Sequence, residues 1–298
     1  MTIHLLRTLV AIADEKTFSA AAEVVNVTHA AVSQQMQTLE SNLDVTLFDR
    51  STRTPELTPL AVEIVIKARL LIRDYDNLLP SVLDDDGLHG EIRFGALPTT
   101  LTGLTPRAMA LYREKFPKIV LRVSPGLTES LLTDLTRGKL DAAVLTKPHL
   151  LPADLEFREM AEEPLELIAA HSERCNDPLE LLRNRPFIRF NRTAVVGTLI
   201  DNWIVSKQIH VNETMELDSL EAIASMVNAN LGVSIVPKLV VPSDGTVKLK
   251  NLSLGPSTPK RCLGLAYHKQ HVKTRAIDEL FTALQKVIAE ASKKPIYS

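Results

Sequence analysis

The chain has 298 residues, enough for about two domains of roughly 150 residues each. Its 45% hydrophobic and 23% charged content is that of a globular protein. The net charge of −2 gives no bulk attraction to a polyanion, and no apolar run reaches the roughly 18 residues of a membrane span. Two cysteines, Cys175 and Cys262, exclude a disulfide framework or a four-cysteine zinc site and suit a reducing cytosol.

Residues 1–57 contain no Gly and only Pro55, a composition that predicts a compact helical segment. In the first twenty residues, Arg7 interrupts the apolar run and Asp14-Glu15-Lys16 follows it, which fits an amphipathic helix better than a secretion signal. Phe18, Ala21, Ala22 and Val25 then recur at helical spacing, Asn26-Val27-Thr28 breaks the pattern, and Thr28 is a natural N-cap for a further helix. Val32, Met36, Leu39 and Leu43 form the apolar stripe of that helix. Its other face carries His29, Ala30, Ser33, Gln34 and Gln37, which are small or polar and uncharged at neutral pH. A helix–turn–helix of this kind suits base edges in a major groove, where Gln pairs with adenine and a methyl group touches thymine. Arg50 and Arg53 lie in the short turn Asp49–Pro55, which reads as a β-wing able to reach a backbone or minor groove. Residues 1–60 nevertheless carry a net charge of −3, whereas DNA affinity draws heavily on Lys and Arg. The pattern alone leaves two readings open, a DNA-binding domain and an all-helical interaction domain.

Thr58 and Pro59 begin a long periodic segment, closed by the polar break Asp84-Asp85-Asp86-Gly87. Leu60, Ile64, Ala68, Leu71, Tyr75, Leu78 and Val82 make a heptad-like stripe. Such a helix either packs on its own domain or pairs with a second copy. Beyond residue 90 the chain alternates short β-type runs with helical patterns, the signature of an α/β domain. Candidate strands are 92–96, 120–123, 142–145, 165–169, 187–190, 233–236 and 263–267, and candidate helices are 101–116, 128–137, 195–208, 219–230 and 273–291.

The run from Phe18 to Ala61 resembles the DNA-binding domain of LysR-type transcriptional regulators. The matching features are Ala21-Ala22, Val27-Thr28, Ala31-Val32-Ser33, Leu39-Glu40, and Leu47-Phe48 followed by Arg50. Later landmarks are Ile92–Gly95, Gly138–Ala142 and Gly232–Pro237. His29-Ala30 stands where the family usually has Gln-Pro, and Gln34 where it very often has Arg, so operator sequence does not transfer from relatives. The resemblance implies an α/β chain with three parts. An amino-terminal all-helical winged helix-turn-helix domain would occupy residues 1–58, and a long dimerising linker helix with its hinge residues 59–88. A two-lobed, periplasmic-binding-protein-like effector domain would occupy residues 91–298, with lobe I at 91–162 and 266–298 and lobe II at 163–265. DNA contacts would fall on Thr28, His29, Ala30, Ser33, Gln34, Gln37, Arg50 and Arg53.

An effector would sit between the lobes, near strand ends and helix N-termini. Thr99, Thr100, Thr128, Thr146, Asn191 and Thr193 resemble the family's effector-contacting positions. Hydroxyls beside helix N-termini suit a small carboxylate or other anion, although Thr also caps helices for stability alone. Lys147 and Arg192 fit either the cleft or the solvated surface. His268 and His271 have no third metal ligand nearby in sequence, Cys175 and Cys262 read as ordinary thiols, and Trp203 as packing. No GxSxG, HExxH, Walker or GxGxxG motif supports catalysis. The expected protein is therefore a cytoplasmic regulator, not an enzyme, with no cofactor or membrane association. Its partners would be double-stranded DNA, a small effector, and itself as a homodimer and homotetramer. The competing reading is a solute-binding or protein-interaction module without DNA binding.

Overall fold

The computed structural model describes residues 2–49, 51, 55–83, 88–242, 247–269, 271 and 273–293. It divides into two compact units, Met1–Gly87 with Thr136–Lys139, and Leu88–Leu135 with Leu140–Ser298.

In the first unit, α1 (Ile3–Glu15) buries Leu5, Leu6, Leu9 and Ile12. The Thr17 hydroxyl caps α2 (Phe18–Val24) by accepting the Ala20 N–H at 3.2 Å. The turn that follows places Asn26 at a φ of 55°, a left-handed conformation that Asn tolerates better than most residues. Thr28 then caps α3 (His29–Leu43), accepting the Ala31 N–H at 3.2 Å. Val32, Met36 and Leu39 on α3 are fully buried against α1 and α2. A two-stranded ribbon, β1 (Phe48–Asp49) and β2 (Glu56–Leu57), pairs Phe48 with Leu57. The Glu40 carboxylate accepts the Leu47 and Phe48 N–H groups at 2.8 and 3.2 Å, fastening α3 to β1. The wing tip, with Arg50 and Arg53, lies outside the described residues.

The helix α4 (Pro59–Leu83) has two apolar faces. Ala61, Val65 and Ala68 are buried in the first unit's core, and Ile64 and Ile72 pack against it. Leu71, Tyr75 and Leu78 are 51%, 57% and 61% exposed. The stripe read from sequence therefore crosses from one face to the other: Ala68 belongs to the intradomain face, whereas Leu60, at 45% exposure, does not. The Val82 side chain and Asp84–Gly87 lie outside the described residues. Arg69 pairs with Asp14 at 2.6 Å, and Arg7 with Asp76, joining α1 to α4.

The second unit begins with β3 (Gly90–Ala96), a 3-10 turn (Pro98–Thr100), α5 (Leu104–Lys115), β4 (Ile119–Pro125), α6 (Thr128–Thr136) and β5 (Ala142–Thr146). Next come β6 (Leu155–Ala170), α7 (Pro178–Asn184), β7 (Pro186–Phe190), α8 (Val195–Ser206), β8 (Asn212–Leu217) and α9 (Leu220–Asn228). The final elements are β9 (Ser234–Pro237), β10 (Leu249–Ser253), β11 (Lys260–His268) and α10 (Thr274–Lys293). The helix expected from residue 101 starts at Leu104, because the chain turns through residues 101–103 after the 3-10 segment Pro98–Thr100. Gly103 passes so close to Val241 that a Cβ would lie 2.1 Å from its carbonyl oxygen.

Strands β4, β3 and β5 run parallel, and β11 joins β5 antiparallel. β6 pairs with β11 along its first part and with β9 and β10 along its second. β7 and β8 pair in parallel beside them. Two separate apolar cores result. One gathers Phe94, Leu104, Tyr112, Val144, Leu265 and Leu280, and the other Leu167, Phe187, Ile200, Trp203, Ile223 and Ile235. β6 contributes Leu155 to the first core and Leu165, Leu167 and Ile168 to the second, so it runs through both lobes. Its ladder with β11 slips between Leu263 and Gly264, where a Cβ on the glycine would lie 2.7 Å from the Arg158 carbonyl oxygen.

One buried ionic cluster sits inside the first lobe. Asp141, fully buried, accepts the Arg93 backbone N–H at 2.8 Å and its guanidinium at 3.1 Å. His271 accepts the Lys273 N–H on Nδ1 at 2.9 Å, which leaves Nε2 to donate to Asp141 at 3.3 Å. Burial pushes the Asp141 carboxyl up, but hydrogen bonds from His271 and Arg93 outweigh it and hold the group far below the usual carboxylate range. His268 stands opposite Asp154 at 3.2 Å. Among the described residues no group of three His, Cys, Asp or Glu side chains could hold a metal ion, and no helix is long and apolar enough to cross a membrane.

Candidate functional site

On α3 the buried residues Val32, Met36 and Leu39 fix which side faces outward. Thr28, His29, Ala30, Gln34 and Gln37 are exposed and Ser33 is half-buried. Ala30, Gln34 and Gln37 recur at helical i, i+4, i+7 spacing and so share one face. The His29 ring lies 6.1 Å from that of Phe18, which in turn meets Phe48 edge-on at 5.0 Å. Those contacts tie the start of α3 to α2 and to the wing. The surface is polar and uncharged, with two amide side chains able to both donate and accept, as base edges require.

A second site lies within the other unit, between its two cores. The lobes lie close together there, and the cavity volume of about 20 Å³ has room for about one water molecule. From the first lobe it is lined by Leu97, Pro98, Thr99, Leu127, Thr128 and Thr146. From the second it is lined by Phe190, Ala194, Val195, Val196 and Asp218, with Arg261 at its back. Three of the sequence-predicted residues, Thr99, Thr128 and Thr146, thus come together, all buried. The other three do not line it. Thr100 spends its hydroxyl on the Leu97 carbonyl at 2.9 Å and accepts from Thr105. Asn191 accepts from the Thr193 N–H and hydroxyl at 2.8 and 2.7 Å, closing a turn ahead of α8. Lys147 is taken by Glu159 at 2.5 Å, and Arg192 by Glu213 and Glu216, all on the surface.

Two helix N-termini reach the cavity. Thr128 is the first residue of α6, and Val195 and Val196 are the first of α8, whose N-cap Ala194 offers no side-chain cap. The leading N–H groups of a helix have no intrahelical acceptor, and the helix dipole favours negative charge there. Gly197 permits α8 to begin so close to the preceding loop, since a Cβ would sit 2.1 Å from the Asn191 carbonyl oxygen.

Sequence reading missed the charged pair at the back. Arg261 on β11 and Glu163 on β6 are directly opposite in the ladder and only 1% and 2% exposed. Arg261 Nε donates to Glu163 Oε2 at 2.5 Å, while Glu163 Oε1 accepts the Val240 N–H at 2.8 Å. Arg261 Nη1 donates to Thr99 Oγ1 at 2.9 Å. Each residue lies two positions ahead of a strand run read from sequence, 165–169 and 263–267, where a charged residue reads as solvent-exposed.

Residues 3–62 match the family described as "Bacterial regulatory helix-turn-helix protein, lysR family", and residues 85–289 match "LysR substrate binding domain". An "HTH-type transcriptional regulator SoxR" from Arthrobacter sp. is 28% identical over 280 residues, covering 93% of this chain and 92% of the relative. A "Probable RuBisCO transcriptional regulator" from Cyanophora paradoxa is 31% identical over 254 residues, covering 79% and 76%. Among solved structures, a full-length OxyR variant from Pseudomonas aeruginosa superposes with a TM-score of 0.76 at 24% identity, covering 96% of this chain and 95% of that one. Full-length CbnR in complex with its target DNA superposes with a TM-score of 0.63 at 18% identity, covering 96% and 100%. At these identities the superpositions speak for the fold. With one match over the helix-turn-helix and another over most of the remaining length, the chain belongs to the LysR family of bacterial transcriptional regulators, which join a DNA-binding domain to an effector-binding domain.

Proposed function

We propose that this regulator reads its operator through Thr28, His29, Ala30, Ser33, Gln34 and Gln37, with Arg50 and Arg53 of the wing reaching the flanking backbone. It acts in the cytoplasm as a homodimer paired along the exposed stripe of α4, and as a tetramer through its effector domains. A small anion, a carboxylate foremost, binds between the lobes and stabilises one lobe arrangement over another. Only that difference in affinity transmits a signal to DNA. No catalytic step or cofactor is assigned.

The observation that carries the effector reading is the cavity itself. Buried Thr99, Thr128 and Thr146 meet two helix N-termini there, inside a wall that is otherwise mostly apolar. The test is binding of the full-length protein to the DNA upstream of its own gene at two salt concentrations, with and without candidate acids. Specific binding that weakens with salt, and that changes with the acid in the wild type but not in Thr128→Val, supports the reading. Binding indifferent to Gln34→Ala and Gln37→Ala removes α3 as the reading surface. An acid response unchanged in Thr128→Val removes the cleft.

A further inference from the structure

Arg261 stands apart from the other buried charges. Its Nε and Nη1 are used, but Nη2 is buried with no hydrogen-bond partner among the described residues. A buried guanidinium donor left unsatisfied carries a desolvation cost that a native site rarely tolerates without purpose. The residue lines the cleft, so a ligand admitted as the two lobes part can satisfy it. Thr99, having accepted from Nη1, has its own hydroxyl proton free to donate. The uncapped start of α8 and the start of α6 add backbone donors on either side. Glu163 is turned away from this task, its two oxygens being held by Arg261 Nε and the Val240 N–H.

The rest of the wall defines the remainder of the ligand. Leu97, Leu127, Phe190, Val195 and Val196 offer only apolar surface. Asp218, exposed at the rim, opposes a second negative charge. We propose that Arg261 is the anchoring residue of the effector site, and that it takes a monocarboxylate with a compact apolar body in preference to a dicarboxylate or a neutral analogue. The carboxylate receives Arg261 Nη2 and the Thr99 hydroxyl, and the hydrocarbon fills the apolar wall. This rests on the cleft reading above and deepens it.

The test titrates the full-length protein with isobutyrate, isovalerate and phenylacetate, and with isovaleramide and methylsuccinate as neutral and dianionic controls. Binding is read as a shift in Tm and as a change in fluorescence of Trp203, the single tryptophan, which lies on α8. At least one monocarboxylate should bind, with the amide and the dicarboxylate about tenfold or more weaker, the scale of one charge-assisted hydrogen bond. Arg261→Lys keeps the charge beside Glu163 but lacks the second donor, and should weaken binding by about tenfold to a hundredfold. The double variant Arg261→Leu with Glu163→Leu removes both buried charges together, which spares the fold the lone buried charge, and should abolish binding.

Unchanged affinity in Arg261→Lys and in the double variant, with binding lost in Thr128→Val, overturns the anchor and leaves the cleft reading standing. Unchanged affinity in all three variants overturns both. Binding of phosphate or sulfate without any monocarboxylate overturns the ligand class alone, and binding of nothing in the series overturns the proposal as stated.

Discussion

Replacing Asp141 with Asn tests the account of the effector domain most severely. The side chain is fully buried and receives the Arg93 backbone N–H at 2.8 Å, the Arg93 guanidinium at 3.1 Å and His271 Nε2 at 3.3 Å. Asn keeps an acceptor of the same shape, so the backbone bond survives and what is lost is the charge. Removing one member of a buried ion pair costs about 3–5 kcal/mol. The Arg93 side chain is 32% exposed and recovers some hydration, which places the expected loss near the lower end, about 3 kcal/mol. For a domain of this size each kcal/mol moves Tm by about 2–4 °C, so a drop of about 6–12 °C at pH 7 is expected. The pH dependence follows from the direction of the shift. The folded carboxyl lies below its ordinary value of 3.8, so protonation favours the unfolded chain. The stabilisation is complete above that value and fades as pH falls below it. Calorimetry from pH 7 down to about pH 2 should therefore show the gap between wild type and Asp141→Asn closing on acidification. A variant that melts with the wild type at pH 7, or a gap that stays constant through the acid range, refutes the reasoning.

The other outcomes are independent of that cluster. Leu71→Asp with Tyr75→Asp places charge on the exposed face of α4 without touching the buried Ala61, Val65 and Ala68. Light scattering should then show a smaller assembly with unchanged helix content. Gln34→Ala and Gln37→Ala should each cost about 1–3 kcal/mol of discrimination at one operator position, read by competition with single-base operator variants, and neither should alter the salt slope. Gly264→Val sets a branched side chain against Phe157 and the Arg158 carbonyl oxygen, where even a Cβ would lie at 2.3 and 2.7 Å. The soluble yield or Tm of the protein should fall, and by more than in Gly255→Ala, where nothing lies within 4 Å of the new methyl group and the cost is the backbone strain at a φ of 95°.

Much of this arrangement was legible because local chemistry and packing agreed. Thr28 reads as a cap and is one, and the apolar stripe of α3 is the buried one. Six of the seven strand runs identified in sequence lie within observed strands, and the seventh, 233–236, starts one residue ahead of β9. Elements escaped where side chains follow exposure more than secondary structure. The first part of β6 is crowded with acidic residues because much of it is half-exposed. β8 and β10 are similarly half-exposed, and α7 is only seven residues long. At the cleft, Thr99, Thr128 and Thr146 were legible from their places at strand ends and helix starts. Arg261 and Glu163 were not, since their burial depends on pairing between strands separated by almost the whole second lobe.

The threading of β6 and β11 through the second unit also sets an order of assembly. Every strand of the second lobe, from the latter part of β6 to β10, is synthesised before β11. That lobe can close while the chain is still being translated. The first lobe cannot: β5 and the opening stretch of β6 flank an empty place that only residues 260–268 fill, and α10, which covers α5, comes later still. At about 5–20 residues per second the earlier half of the sheet stands open for seconds. The lobe whose first strand is synthesised earlier is thus the last to be completed. A chain interrupted after β10 carries a finished second lobe beside a sheet edge exposed to aggregation.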